Sequence, residues 1–420
     1  MHISKSCISV IEQMRCVGCG NCVSVCPADC FMLKTDSAGF STAYPKPDFT
    51  KLCKNCGLCQ KLCPETQPSG KNVQISDIIC YAAWHKNRDI VLKSSSGGAF
   101  YALAAAFLST GGLVAGVAME NNRAVYQMVY SVEELEQLQG SKYIPAEITE
   151  FYPELTAALN DNKKVLISLL PCIATAFRMR FCKYIDAGQL VIIDFVCAGV
   201  PAPEYFRKEV EAKNITVHGF RKKDGIKRFW KNSNCLFGQS KDKAQNIDIP
   251  VEHSPFYNGF ACNLILRKSC CNCRHAELSR AGDVTLADFW GEKRFDEQQK
   301  YGISMIMVNT NAGKKLLQAA ESNLVIHPAS IVDAAHKNPR LYFGKKAQQY
   351  NVLYRCFFKI IEWAPLFLLN FLYGGGYRRR ILKKLPYKLL WRKKNRLFRE
   401  TEKEQARRFE EIFTTGGADR

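Results

Sequence analysis

Histidine is scarce in this chain, seven in 420 residues, and none lies near either of its two densest cysteine stretches. That absence weighs against zinc, whose structural sites are usually built from paired CxxC units or from cysteine together with histidine. The opening residues, MHISKSCISVIEQMRC, lack the apolar core of an export signal. A disulfide-stapled secreted protein is short and carries such a signal, so the 20 cysteines are expected to be reduced thiols, bound to metal or buried. A cytoplasmic location follows as an expectation. A disorder signature is missing over most of the length, with 47% of residues hydrophobic. The length suits two or three domains with cores of their own.

Cysteine, by contrast, is abundant and patterned. Residues 16–27 read CVGCGNCVSVCP and residues 53–64 read CKNCGLCQKLCP. Both are C-x2-C-x2-C-x3-C-P, the spacing of a bacterial two-cluster ferredoxin, in which the fourth cysteine of each run binds the other run's cluster. Three cysteines on a tight loop wrap three corners of a cubane, and Gly18, Gly20 and Gly57 let the backbone come close. Cluster one is assigned to Cys16, Cys19, Cys22 and Cys63, and cluster two to Cys53, Cys56, Cys59 and Cys26. Both would be 4Fe-4S centres, and the chemistry they imply is one-electron transfer.

The remainder divides at a turn-rich boundary, PETQPSGKN at 64–72. YAAWHK reads as a strand, KSSSGGAFYALAAAFLSTGG as a Ser/Gly loop followed by an alanine-rich helix, and LVAGVAM as a strand. SVEELEQLQGSKYIPA reads as a helix capped by Ser131, with Glu134 three residues on. Lys164–Leu170 and Leu190–Cys197 are continuous apolar runs, as in parallel strands covered on both faces. Cys172 and Cys197 stand at their ends, where open α/β sheets collect ligands. Residues 220–262 read as polar strands with turns, 283–287 as a short strand before Asp288, and 303–330 as a further strand and helix.

The order of motifs, namely the dicluster run, SSSGG, GSKY, LLPC, CAGVP, RKSCCNC and GDVTLADFWG, resembles the coenzyme F420 hydrogenase/dehydrogenase beta subunit family over about residues 10–335. The expected fold class is α+β: a dicluster ferredoxin-like module at 1–70, an α/β flavin-type region with a mixed sheet at 78–155 and 160–335, and a helical basic tail at 345–420. The resemblance implies FAD, with Ser95, Ser96, Gly97 and Gly98 against it and Lys142 as a phosphate or flavin contact. A loop at a helix N-terminus suits a pyrophosphate. It also implies a third 4Fe-4S cluster on Cys172, Cys197, Cys270 and Cys273, with Cys271 in competition. Relatives carry histidine where this chain has Ala198 and glutamine where it has Ile173. Asp288 and Arg280 are candidates for orienting flavin or substrate, although Arg280 with Asp283 reads better as a surface ion pair.

The function expected is relay of electrons between clusters and flavin, to or from a deazaflavin-like or other two-electron carrier. An adaptor without flavin and a nucleic-acid binder are the alternatives, the last ranked lowest. Partners expected are a redox protein or ferredoxin and a small-molecule electron carrier. The formal charge is +20, and residues 350–420 hold 17 Lys and Arg against seven Asp and Glu, or +10. The charge-free stretch Trp363 to Tyr373 has 11 residues, short of the roughly 20 that span a bilayer. It precedes YRRRILKKLPYKLLWRKKNRLFR, with 11 Lys and Arg and no acid, so the tail is expected to lie on an anionic membrane surface.

Overall fold

The structure is a computed structural model that describes residues 6–66, 74–261, 263, 265–344 and 402–413. The expected membrane-surface segment therefore lies outside the described residues, apart from a helix at 402–413. Phe409 and Phe413 of that helix pack edge-on against the Tyr342 ring.

The N-terminal module is small and built on its cysteines. Strands β1 (Phe31–Thr35) and β2 (Ser41–Pro45) form an antiparallel hairpin. Each cysteine run turns into a four-residue helix, Asn21–Ser24 or Leu58–Lys61, directly after a left-handed glycine, Gly20 or Gly57. The φ values of +70° and +76° favour glycine at both places, so the two runs fold alike as well as read alike. Cysteines 7, 22, 30 and 59 share the module's core with Phe31 and Phe49.

Strands β3 (Ile79–His85), β4 (Leu113–Glu120), β5 (Arg123–Val129), β6 (Val165–Leu169) and β7 (Leu190–Phe195) begin the body. After them come β8 (Ile215–Arg221), β9 (Asn234–Ser240), β10 (Asn246–Pro250), β11 (Val284–Asp288), β12 (Ser304–Val308) and β13 (Leu324–Ala329). Eight strands make one mixed sheet in the order β13-β3-β12-β11-β7-β6-β4-β5. Its centre is parallel, with β4 on β6, β6 on β7 and β7 on β11, and the other pairings are antiparallel. The regions 78–155 and 160–335 thus share a single sheet.

Alternation places that sheet between two helical layers. Val165, Ile167 and Leu169 of β6 face helices Tyr152–Asn160 and Pro171–Arg180, whereas Leu166 faces helices Ala99–Ser109 and Asn311–Ala320. Both faces are covered, which explains the uninterrupted apolar runs. Strands β10-β9-β8 form a separate antiparallel sheet backed by helix Pro203–Lys213, around Phe206, Phe220 and Phe256. Residues 133–138 are 3₁₀ rather than α-helical. The buried Leu135 and Leu138 stand three apart, the 3₁₀ period.

Candidate functional site

The carboxyl ends of β6, β7 and β11 open onto one cavity of about 580 Å³. That size falls within the range for small-molecule and cofactor sites. The Ser94–Ser96 loop borders it on one side, and Cys172, Cys197, Cys270 and Cys273 border it on another.

The loop is held from below. The Ser96 hydroxyl donates to the Ile303 carbonyl at 2.8 Å, and the Ser95 hydroxyl accepts from the Ser141 N–H at 2.7 Å. Gly97 packs against the sheet, where a Cβ would come within 2.5 Å of the Ala83 carbonyl oxygen. Gly98, left-handed at φ +88°, begins the 11-residue helix Ala99–Ser109 and borders the cavity. The structure therefore gives Ser95, Ser96 and Gly98 to the cavity wall and Gly97 to the loop's footing. The helix turns its positive end toward this space.

Lys142 also borders the cavity, its Nζ donating to the Gln139 carbonyl at 2.7 Å, and burial pushes its amine down to about 7. Lys223 was not legible as a site residue. Its Nζ donates to the Ser96 and Tyr301 carbonyls at 2.7 and 2.6 Å, which fixes the loop. Burial, with Arg221 adding, pushes it down to about 7 as well.

The third cysteine set comes together from three chain segments, since Cys270 and Cys273 share one. Burial and the neighbouring Cys273, Cys270 and Cys197 raise the Cys172 thiol well above its ordinary range. Burial pushes Cys270 and Cys273 up to about 11. Three such groups stay neutral unless a positive centre compensates, so the set favours metal-assisted ionisation. Backbone N–H groups of Gly199 and Val200 already reach the Cys197 and Cys270 sulfurs at 3.3 and 3.4 Å, as at iron–sulfur ligands. Cys271 turns away, its sulfur 3.8 Å from the Arg267 carbonyl, and it does not border the cavity.

The ferredoxin cysteines gather in two neighbouring groups. Cys19 feels the charge of Cys16, Cys22 and Cys63, and Cys63 feels that of Cys16 and Cys22. Cys26, Cys53, Cys56 and Cys59 border a second, smaller hollow. Cys30 borders that hollow too, and its N–H reaches the Cys26 sulfur at 3.3 Å. The buried Cys7 thiol hydrogen-bonds with Cys22 and Cys59, which raises it steeply. Neither Cys7 nor Cys30 carries a spacing signal. Among the described residues no three His, Cys, Asp or Glu side chains converge tightly enough to hold one metal ion. The thiolates of a cubane bind separate irons at its corners and stand farther apart.

Cys19 belongs to the same apolar cluster as Cys172, which links module and cavity. The Tyr152 hydroxyl donates to the Cys19 carbonyl at 2.6 Å, and the Asn21 amide donates to the Leu62 and Ala176 carbonyls. Glu65, buried at the seam, meets His275 at 2.9 Å and lies 3.7 Å from Arg15.

The expected Arg280–Asp283 surface pair does not form. Arg280 pairs with Asp194 at 3.4 Å and Asp283 with Arg178 at 2.6 Å, with both carboxylates buried under the sheet end. Asp283 also accepts from the Ile192 N–H, so its place is fixed by strand pairing. Asp288 does border the cavity, pairing with Arg221 at 2.7 Å and accepting from the Trp230 indole at 2.9 Å. Trp230 stacks on Trp290 at 4.2 Å.

Two matching cysteine runs on a ferredoxin module, docked onto an α/β body, define an iron–sulfur electron-transfer protein. Residues 80–151 and 162–334 match the N-terminal and C-terminal models of coenzyme F420 hydrogenase/dehydrogenase, beta subunit, and residues 15–66 match a 4Fe-4S dicluster domain. The chain belongs to the coenzyme F420 hydrogenase/dehydrogenase beta subunit family. An uncharacterised ferredoxin of Methanocaldococcus jannaschii is 33% identical over 55 residues, covering 13% of this chain and 66% of that protein. A solved xenon-derivatised F420-reducing NiFe hydrogenase complex from Methanosarcina barkeri contains a similar chain. The two are 17% identical with a TM-score of 0.43, over 62% of this chain and 84% of that one.

Proposed function

We propose that this chain is an iron–sulfur flavoprotein oxidoreductase. In this reading electrons pass between 4Fe-4S clusters and FAD, to or from a two-electron carrier of the deazaflavin type. The observation that carries the reading is the shared cavity: a helix N-terminus with its serine loop and four convergent cysteines border one space of about 580 Å³. A bound flavin supplies the exchange between hydride-sized and single-electron steps.

The chain's own groups have definable roles. The Ser95–Gly98 loop and the start of helix Ala99–Ser109 bind a pyrophosphate, and Lys223 fixes that loop through the Ser96 carbonyl. Lys142 neutralises phosphate charge, and an anion beside it restores its proton. Cys172, Cys197, Cys270 and Cys273 hold a third cluster beside the cavity. Cys16, Cys19, Cys22 and Cys63 hold cluster one, and Cys53, Cys56, Cys59 and Cys26 hold cluster two. Cys19 and Cys172, in one apolar cluster, provide the short step between module and body.

The test is anaerobic purification followed by release of bound flavin. About one FAD per chain, with an absorption band near 450 nm, supports the oxidoreductase. A second reading, an electron-transfer adaptor without flavin, draws on Ala198 and Ile173, apolar side chains in the cavity wall. Iron without releasable flavin selects it. For the basic tail the proposal is a peripheral contact with an anionic membrane on the cytoplasmic side, tested by flotation with anionic vesicles.

A further inference from the structure

Of the twelve cysteines assigned to clusters, Cys56 is the one whose residue is exposed. Cys19 is buried against the body, and the third set borders the interior cavity. The cysteine sets therefore follow one another from surface to cavity, Cys7 joining Cys59 to Cys22 and one apolar cluster joining Cys19 to Cys172. Cluster two lies at the surface, cluster one follows, and the Cys172 set stands at the cavity. The outer end of that series is the corner at Cys56.

The surface around this corner has a sign. Residues 46–63 hold four lysines, Lys46, Lys51, Lys54 and Lys61, against one acid, Asp48, or +3. Lys51 is 84% exposed and only 4.0 Å from Asp48, and Lys54 and Asn55 are exposed beside Cys56. Lys46 is engaged by Asp29. Leu52, between two lysines and next to Cys53, leaves 42% of its surface in solvent. An apolar centre within a cationic rim, at a redox centre's exposed ligand, is the arrangement of a transient electron-transfer encounter, in which interfaces are small and charge steers approach.

We propose that the Lys51–Leu52–Lys54 face docks a small acidic one-electron carrier protein and that electrons are exchanged with it through the Cys56 corner of cluster two. Charge complementarity fixes the class of partner, since a basic carrier would be repelled. The proposal rests on the relay reading above and adds the face and the partner's chemistry.

The experiment uses the full chain with clusters reconstituted and an acidic 2Fe-2S ferredoxin as probe. Its affinity is measured by titration calorimetry at low salt and again at high salt. Its reduction of the chain is followed by stopped flow. Affinity should fall roughly tenfold or more in Lys51→Glu/Lys54→Glu, and in the parent with added salt. Reduced methyl viologen, a cation, should reduce that variant at least as fast as the parent. Lys51→Gln/Lys54→Gln, which only removes charge, should give an intermediate loss and serves if the double glutamate variant loses iron. Equal affinity in parent and variants, binding indifferent to salt, or no binding at low salt would overturn the docking face. Failure of viologen to reduce an iron-replete parent would instead overturn the relay.

Discussion

The Glu65 carboxylate meets the His275 imidazole at 2.9 Å where the ferredoxin module joins the body. Both residues are buried. Glu65 follows Cys63 by two residues, and His275 follows Cys273 by two, so the contact ties a cluster-one segment to a third-set segment. The backbone carbonyl of Glu65 adds a bond from Arg274 at 2.7 Å. His275 is braced on its other nitrogen by Thr175 at 3.2 Å.

Removing the carboxylate should leave the buried Nε2 of the imidazole without its partner, while Nδ1 keeps Thr175. Glu65→Ala is expected to lower stability by about 1–3 kcal/mol, and Glu65→Gln, which can still accept a hydrogen bond, by less. Denaturant unfolding of anaerobic protein measures both. Equal losses in the two variants would show that the contact is packing and not hydrogen bonding.

Lys223 provides a prediction in pH. An ordinary lysine titrates near 10.4, and burial with the neighbouring Arg221 brings this one down to about 7. Between about pH 7 and pH 10 the unfolded chain holds a proton that the folded chain has released, so this group makes stability rise with pH across that window. Below pH 7 both states hold the proton and the contribution is flat. Lys223→Met should therefore show a shallower rise in unfolding midpoint from pH 7 to pH 9.5 than the parent. Identical slopes would place the Lys223 proton elsewhere.

The third cysteine set makes a counting prediction. Cys273→Ser should drop iron from about 12 to about eight per chain, and Cys271→Ser should leave it near 12. The N–H bonds to Cys197 and Cys270, and the turn of Cys271 toward Arg267, are the reasons for that choice. Iron and acid-labile sulfide, quantified together, decide it.

Gly20 tests the docking of the module. A Cβ there would lie 2.0 Å from the Thr149 methyl carbon, at a backbone φ of +70° that a side chain strains further. Gly20→Ala should cost roughly 1–3 kcal/mol and loosen the seam, while Gly20→Ala/Thr149→Ser should recover part of the loss. Hydrogen exchange at residues 148–152 reads the seam directly.

Much of this architecture was legible because its causes are local. A cubane demands cysteines at fixed offsets, so the two runs announce themselves in sequence, and Gly20 and Gly57 reveal the same turn twice. The apolar runs of β6 and β7 were legible because strands covered on both faces carry no polar alternation. The segment at 133–138 has the composition of an α-helix, and only the spacing of Leu135 and Leu138 against the core shows its tighter winding. Asp283 and Arg280 stand three apart in sequence, yet strand pairing sends them to Arg178 and Asp194, more than eighty residues away. Lys223 and Cys7 reach the loop and the clusters through tertiary packing alone, which leaves no trace in spacing.

A reductive titration tests most directly the proposed complement of three clusters and one flavin. Anaerobic protein titrated with a calibrated low-potential donor, followed by optical and electron paramagnetic resonance spectra, should take up about five electrons per chain. Three of these go to clusters and two to flavin. Uptake of about two electrons, with no flavin band bleached, would contradict that proposal and leave only the ferredoxin module as a redox carrier.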